Sequence, residues 1–337
     1  MIEFKPVRLE DKQIIERHTM PSGILNCDLA FANMYCWQAM YHSAWAVIDG
    51  FLVIRFHIGG SEKIGYMQPV GEGDFAGIIP ALRADAHAHG QRLRIIGLTD
   101  EGREMIRNMH AGLFAFESDR ALEDYVYNAE DLRNLTGRRY QPKRNHINRF
   151  MSEYPDFRYE NLTRDRFAEC MQLEREWRRA HEGHTSELCA EQRAMQRAFD
   201  HFEELEMLGG CIYVGDKLVA FTFGSAVNEH TFDTHVEKAD TDYDGAFTII
   251  NKLFAEHLPE RVTLPEFRRI LLENILRENQ GEEYPLTPDD LAAVEKLRAE
   301  RYATWEWNYG RSPACTMLRR RRVDGCGLIE AYITVEH

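Results

Sequence analysis

The chain has 337 residues, of which 44% are hydrophobic and 28% are charged, and its formal net charge is −14. This length allows two or three globular domains. A strongly negative chain repels phosphate, which argues against extended nucleic-acid binding, although a local basic patch could still hold one end of a polyanion. The sequence shows no apolar run long enough to span a membrane and no signal peptide, so we expect a cytoplasmic protein without a transmembrane segment.

The first region alternates strand-like and helix-like runs. Two apolar runs, AWAVI at 44–48 and FLVIRF at 51–56, flank the dipeptide Asp49-Gly50. Because this dipeptide favours the positive φ angles of a type I′ turn, the pattern predicts a β-hairpin. A strand, a helix and another strand are then predicted, at 64–70, 74–89 and 93–98. We expect a sheet with helices packed on it.

A basic segment follows in this acidic chain. Residues 132–152 include no acidic residue and six cations, which are Arg133, Arg138, Arg139, Lys143, Arg144 and Arg149. The segment is predicted to be helical, with interruptions near Gly137 and Pro142. It would bridge two regions of the chain.

After the basic segment, the sequence again alternates strand-like and helix-like runs, as in the first region. The pattern predicts a strand, two helices, a hairpin around Gly215-Asp216, a strand with the sequence HTFDTHVEK, an acidic loop and a helix. Because the same order occurs in the first region, we interpret it as an internal duplication of architecture.

Three segments carry a resemblance to a known family. They read MPSGILNCDLAFANMYCW (20–37), RYQPKRNHINRF (139–150) and GDKLVAFTFGSAVNEHTFDTHVEKADTDYDGAFTIIN (215–251). Over about residues 1–258 the chain resembles the family that shares its fold with the C-terminal catalytic domain of phosphatidylglycerol lysyltransferase. The resemblance implies an α/β (α+β) fold of two tandem GNAT-like acyltransferase domains. It also implies transfer of an aminoacyl or acyl group to an amine or hydroxyl, with aminoacyl-tRNA as donor.

The strand HTFDTHVEK contains the candidate catalytic residues. Strict alternation would place Asp233, His235 and Glu237 on one face of the strand. If the strand is central in its sheet, such a row suits general-base catalysis on an attacking amine, with Glu237 or His235 taking the proton. The alternative is a solvated outer face whose charges keep the sheet soluble.

The loop ADTDYDGA indicates which kind of acyl donor the protein could bind. Users of acyl-coenzyme A with this fold present a Gly-rich turn at a helix N-terminus, where backbone N–H groups hold the pyrophosphate. Here Asp240 and Asp244 would repel a pyrophosphate, and only Gly245 of the expected glycines is present. We therefore predict no coenzyme A and no other cofactor. The acidic loop could instead attract a cation such as the α-ammonium of an aminoacyl ester.

The basic segment supplies the candidate phosphate ligands. Asn145 and Arg149 are spaced i and i+4 on the predicted helix, next to His146, and they can share a face. Together with Lys143 and Arg144 they offer a helix face suited to the phosphates of a tRNA acceptor end. The alternative is an interdomain helix whose arginines pair with acidic residues of both flanking domains.

Metal binding is not predicted. The tetrapeptide HEGH at 181–184 has two histidines at a plausible spacing. It lacks the second pair of ligands that would make a zinc site.

The last region departs from the family pattern. Thr287 and Pro288 mark the start of a helix, and two strands, CTMLRRRRV and LIEAYITV, flank a turn. The run RYATWEWNYGRSP at 301–313 resembles the C-terminal accessory domain of lipoate-protein ligases, here truncated. The segment that closes the second GNAT-like domain in relatives is absent from the pattern.

The sequence therefore predicts four parts and two functional hypotheses. The parts are an N-terminal GNAT-like domain, a basic bridging helix, a C-terminal GNAT-like domain and a lipoate-ligase accessory-like module, at 1–128, 129–155, 156–261 and 262–337. The first hypothesis is an acyltransferase that uses aminoacyl-tRNA and a small-molecule or lipid-headgroup acceptor. The second is a non-catalytic binding or accessory protein.

Overall fold

The computed structural model of the protein describes residues 2–180, 186–258, 287–302, 317–323 and 327–333. The chain divides into two compact units, Met1–Leu258 and Pro259–His337. The finer boundaries predicted at 128 and 155 stay predictions.

The first sheet has the strand order β1-β2-β3-β4-β5, with β5 parallel to β4 and the other pairs antiparallel. Asp49 and Gly50 both have positive φ, 48° and 86°, so the predicted hairpin between β2 and β3 is confirmed. The strands are Lys5–Pro6, Ala44–Ile48, Phe51–His57, Ile64–Met67 and Ile95–Ile96. The helices around this sheet, α1 to α5, are Lys12–Thr19, Phe31–Cys36, Gln38–Tyr41, Ile79–Ala88 and Asp100–Met109.

The basic segment forms two helices, α6 (Ala129–Asn134) and α7 (Gln141–Glu153). The break between them contains Leu135 in the left-handed conformation and Gly137 with φ of 85°. Pro142 lies in the first turn of α7. It therefore begins the helix, where its missing N–H costs nothing, and the prediction that it interrupts a helix was wrong.

The second sheet is antiparallel throughout, with the order β6-β7-β8-β9. Its strands are Arg158–Asn161, Leu208–Val214, Lys217–Asn228 and Thr231–Ala239, and its helices, α8 to α10, are Phe167–Ala180, Ser186–Asp200 and Ala246–His257. Within the described chain β9 is an edge strand, so the condition that the HTFDTHVEK strand is central is not met.

Two apolar cores cover the faces of the second sheet. On one face, side chains such as Phe221 and Phe223 share a core with α8, α9 and residues of the first half, including Phe31 and Leu52. On the other face, α10 and the basic helix α7 pack together, with Phe150 fully buried. Because one core joins both sheets, residues 1–258 form one compact unit of mixed α/β structure.

The second unit contains helix α11 (Pro288–Leu297) and an antiparallel pair, β10 (Met317–Val323) and β11 (Gly327–Ile333). The side chain of Thr287 accepts a hydrogen bond from the Asp290 backbone N–H, so the predicted start of the helix is confirmed. The WEWNYG run lies outside the described residues. Across the described ranges, no helix combines the length and the apolar character that a membrane crossing would need.

Candidate functional site

A β-bulge divides the predicted catalytic row between two faces of the sheet. Phe223 pairs with Val236, whereas Ser225 pairs with Asp233, so the two residues Thr234 and His235 stand opposite the single residue Gly224. The bulge reverses the alternation of side chains beyond it. Asp233 and His235 therefore face α2 and α9, whereas Glu237 faces α10. The expectation that all three share a face was wrong.

His235 lies between Ser225 and Asp233. Its Nε2 is 2.8 Å from Ser225 Oγ, and its Nδ1 is 2.8 Å from Asp233 Oδ2. The imidazole is 7% exposed, and the Asp233 side chain is 22% exposed. Ser225 was not predicted from the sequence, although a glycine inside a strand, here Gly224, is a known sign of a bulge.

Glu237 is held on the opposite face by groups of α10 and α7. The Asn251 side-chain amide of α10 donates to Glu237 Oε2 at 3.2 Å. Burial raises the pKa of Glu237 to about 7, although the Asn251 hydrogen bond and the charge of Lys143 oppose the shift. A carboxylate that exchanges its proton near neutral pH can act as a general base.

The raised pKa of Glu237 also predicts a pH dependence of stability. The folded state binds the proton more tightly than the unfolded chain, so this contribution is complete below the ordinary pKa of 4.5 and is lost as the pH rises through about 7. The free energy of unfolding should fall by about 3 kcal/mol over this range because of Glu237. Urea denaturation at several pH values gives the free energy of unfolding as a function of pH. This free energy should change less steeply with pH in Glu237→Gln than in the wild type.

The exposed carboxylate Glu203 provides a matched control. Glu203→Gln should keep the wild-type pH slope, because this side chain is not buried. If the free energy of unfolding of Glu237→Gln changed with pH as steeply as that of the wild type, the raised pKa of Glu237 would be contradicted.

Cations of the basic helix α7 make contacts within the protein. Arg144 donates to the backbone carbonyls of Leu135 and Gly137, the latter at 2.8 Å, and so satisfies acceptors at the end of α6. Arg149 Nη1 is 2.5 Å from Asp244 Oδ2. The contact of Arg149 with Asp244 agrees with the structural alternative, whereas Arg144 contacts carbonyls of the basic segment itself and no acidic residue. The phosphate-binding role of both arginines stays a prediction.

The other predicted phosphate ligands also have neighbours in the protein. His146 Nδ1 is 3.4 Å from Asp244 Oδ1, and the Asn145 side-chain oxygen accepts a hydrogen bond from Gln141 at 2.8 Å. The Lys143 ammonium lies over the Tyr127 ring, 5.7 Å from its centroid. Lys143 is thus the predicted ligand whose charge reaches Glu237.

Two carboxylates of the acidic loop before α10, Asp240 and Asp244, meet cations of the protein. Lys217 Nζ donates to Asp240 Oδ2 at 2.7 Å, and Asp244 contacts Arg149. Gly245 has φ of 93°, and a Cβ atom there would lie 2.5 Å from the His146 carbonyl oxygen. The loop therefore packs tightly on α7, which disfavours the prediction that Asp240 and Asp244 attract a substrate cation.

A further polar cluster comes from residues that sequence reasoning did not select. Asp28 belongs to an exposed stretch near Asp124 and Asp233, and loss of water around its carboxyl group, followed by the charges of these two residues, raises the pKa of Asp28 to about 6. The backbone N–H and the thiol of Cys27 both donate to Asp124, at 3.3 and 3.4 Å. No local pattern reveals this cluster, because its members are far apart in the sequence.

Metal binding gains no support from the described part of the chain. No group of three or more His, Cys, Asp or Glu side chains there is arranged to hold a metal ion. The HEGH tetrapeptide lies outside the described residues.

Fold and site together define a mixed α/β protein whose first unit has two sheets and carries Glu237, a partly buried carboxylate of raised pKa, on the edge strand β9 of the described chain. The chain belongs to the family described as "Phosphatidylglycerol lysyltransferase, C-terminal", whose model matches residues 22–288. The crystal structure of a conserved protein of unknown function from Bacteroides thetaiotaomicron is similar, with 42% identity and a TM-score of 0.74. The match covers 77% of this chain and 88% of that one.

Lipoate-protein ligases match a smaller part of the chain. Lipoate-protein ligase 1 of Staphylococcus aureus is 39% identical over 69 residues, which are 20% of this chain and 21% of the ligase. Lipoate-protein ligase LplJ of Bacillus subtilis is 31% identical over 119 residues, 34% of this chain and 36% of the ligase. The chain thus spans between a fifth and about a third of the length of these relatives, and the predicted partial resemblance to lipoate ligases is confirmed.

Proposed function

We propose that the protein transfers an aminoacyl or related acyl group to an amine or hydroxyl acceptor, with Glu237 as the general base. The observation that carries this proposal is the position of Glu237 on β9, where it is partly buried and accepts a hydrogen bond from the Asn251 amide at 3.2 Å, with its pKa raised to about 7 by loss of water. Membership of the phosphatidylglycerol lysyltransferase C-terminal family supports the reaction class. A base with a pKa near the working pH holds and releases a proton efficiently.

The chemistry requires one bond exchange and two proton transfers. The acceptor nitrogen or oxygen attacks the carbonyl carbon of the donor ester, and the bond between that carbon and the leaving oxygen breaks. Glu237 takes the proton from the acceptor, and this proton then neutralises the leaving alkoxide. His235 has Ser225 at one ring nitrogen and Asp233 at the other, and it lies on the opposite face of the sheet from Glu237, so we assign it no step in the transfer.

We further propose that the donor is the acceptor end of an aminoacyl-tRNA and that no cofactor takes part. The tight contact of Gly245 with α7 leaves little room at the start of α10, which disfavours a coenzyme A pyrophosphate there. The acceptor would be a lipid headgroup or a small molecule. A cytoplasmic location stays a prediction.

The direct test is a transfer assay with the purified full chain. Radiolabelled aminoacyl-tRNAs, lysyl-tRNA first, are incubated with phosphatidylglycerol vesicles or with soluble amines, and the label in the acceptor is counted. We expect label to leave the tRNA for an acceptor only when the protein is present, and no transfer from acetyl-coenzyme A. Transfer from acetyl-coenzyme A alone would contradict the donor assignment, and no transfer from any aminoacyl-tRNA would contradict the proposal.

A second candidate function is a non-catalytic binding or accessory role connected with lipoylation. The partial similarity to lipoate-protein ligases is the observation that favours it. The same purified chain, added to a lipoate ligase and its acceptor protein, would then change the ligation rate. A chain that transfers aminoacyl groups and leaves ligation unchanged would exclude this role.

A further inference from the structure

Three side chains of the second sheet form a line from a hydroxyl through an imidazole to a carboxylate. Ser225 Oγ lies 2.8 Å from His235 Nε2, and His235 Nδ1 lies 2.8 Å from Asp233 Oδ2. Ser225 is on β8, and the other two residues are on β9. A hydroxyl within reach of a base that a third group orients is the arrangement that activates a serine as a nucleophile.

The β-bulge of β9 assembles this line. Ser225 pairs with Asp233 across the two strands, and the extra residue opposite Gly224 turns His235 to the same face as these two side chains. Bulges occur next to active sites because they redirect a side chain in this way. The backbone therefore places all three groups.

The carboxylate selects the form of the imidazole that can act as a base. Asp233 beside Nδ1 favours the tautomer with its proton on Nδ1, so Nε2 is left to accept the hydroxyl proton of Ser225. Nδ1 and the carboxylate are close but are not aligned for a hydrogen bond. Catalytic hydrogen bonds often align only when a substrate binds. Asp233 is thus a positioning residue, and Ser225 and His235 are the reacting groups.

A small cavity lies beside the imidazole. His235 lines it together with side chains of the surrounding core, among them Cys36, Met195 and Phe223. Its free volume is about 10 Å³, which is the space of about one water-sized group. The methyl group of an acetyl ester suits such an apolar space, whereas a long acyl chain does not.

Ser225 is 4% exposed, so a substrate reaches it through the wall of the site. Asn33 and Trp37 line both the small cavity and a larger groove of the protein. Both side chains are partly exposed. The hydrogen bonds that the Asn33 amide donates to the Cys27 carbonyl and to Asp28 are long, 3.4 and 3.3 Å. Rotation of this weakly held side chain would connect the groove with the cavity.

We propose that Ser225 is the nucleophile of a second reaction, in which it takes a short acyl group from a carboxylic ester. Ser225 Oγ attacks the carbonyl carbon, His235 Nε2 takes the hydroxyl proton, and the alcohol leaves with this proton as its bond to the carbon breaks. Water then attacks the acyl group and gives a proton to His235, which returns it to Oγ as the acid is released. The site lies on the opposite face of the sheet from Glu237, so this inference does not depend on the proposed aminoacyl transfer.

A fluorophosphonate probe tests the nucleophile directly, because it reacts with serine hydroxyls that a neighbouring base activates. The purified full chain is incubated with the probe, digested and analysed by mass spectrometry. We expect the phosphonyl adduct on Ser225. An intact protein that carries no adduct on Ser225 would overturn the proposal, and this result needs no variant that could fail to fold.

Ester hydrolysis tests the acyl group that the site takes. The full chain should release nitrophenolate from p-nitrophenyl acetate at least about tenfold faster than from p-nitrophenyl octanoate, each relative to its uncatalysed rate, because the longer chain overfills the small cavity. Equal or faster release from the octanoate would contradict the assignment of the cavity to the acyl group.

Three substitutions show whether the line of side chains activates the serine. His235→Gln should slow labelling by about 100-fold or more, because the base is lost. Asp233→Asn should lower kcat for p-nitrophenyl acetate with little change in KM, because it disturbs the imidazole and not the cavity. Ser22→Ala is the matched control, since Ser22 lines the groove but donates to the Thr19 carbonyl at 2.7 Å, and its labelling should equal that of the wild type.

The melting temperature separates activation from folding. A His235→Gln protein that melts like the wild type and is labelled as fast as the wild type would show that the contact between Ser225 and His235 is only structural. Loss of labelling in His235→Gln at an unchanged melting temperature supports the proposal.

Discussion

Glu237→Gln should lower the rate of acyl transfer by about 100-fold or more, which is the usual size of a general-base effect. Glutamine has nearly the same shape and can still accept the Asn251 hydrogen bond, but it cannot take a proton. The wild-type rate should rise with pH through about 7, where Glu237 ionises, and the variant should lose this dependence. Single-turnover transfer measured at several pH values gives both results.

Lys143 and His235 provide the controls for this prediction. Lys143→Met removes a positive charge that lowers the pKa of Glu237, so the pH profile should move toward higher pH. His235→Gln, on the opposite face of the sheet from Glu237, should leave both the rate and its pH dependence largely unchanged. If His235→Gln removes the pH dependence and Glu237→Gln keeps it, His235 is the base and the assignment to Glu237 is wrong.

Gly224→Ala should cause the largest loss of stability among conservative substitutions in the second sheet. A Cβ atom at this position would overlap the Asp233 carbonyl oxygen and would lie 2.7 Å from the Phe232 ring. Because β9 carries two residues opposite Gly224, its backbone approaches β8 too closely for a side chain. We expect the free energy of unfolding to fall by about 3 kcal/mol, which urea denaturation would measure.

Gly77→Ala is the matched control, since a Cβ atom there would meet nothing within 4 Å. It should leave the stability nearly unchanged. A Gly224→Ala protein as stable as the wild type would mean that the bulge at Thr234 and His235 is not formed. Without the bulge, His235 and Glu237 would lie on one face of the strand, as simple alternation of side chains predicts. The predicted catalytic row of Asp233, His235 and Glu237 would then be possible.

Local patterns in the sequence were sufficient for most elements of the fold. The hairpin at Asp49-Gly50, the helix start at Thr287 and the strand from Thr231 to Ala239 depend on turn chemistry, capping and apolar runs. These signals lie within a few residues of the structure that they specify. The second sheet and its helices could therefore be predicted in the correct order, and Glu237 could be selected as a candidate base.

The sequence by itself thus determined the α/β class, the order of strands and helices, and the family resemblance. Only the tertiary structure decided which charges meet. The register of β9 against Gly224 placed Glu237 and His235 on opposite faces, and packing of α7 on α10 paired Arg149 with Asp244. Asp28, Asp124 and Asp233 were brought together from positions far apart in the chain. Alternation and charge counts do not contain this information, because strand register and helix packing depend on contacts between distant residues.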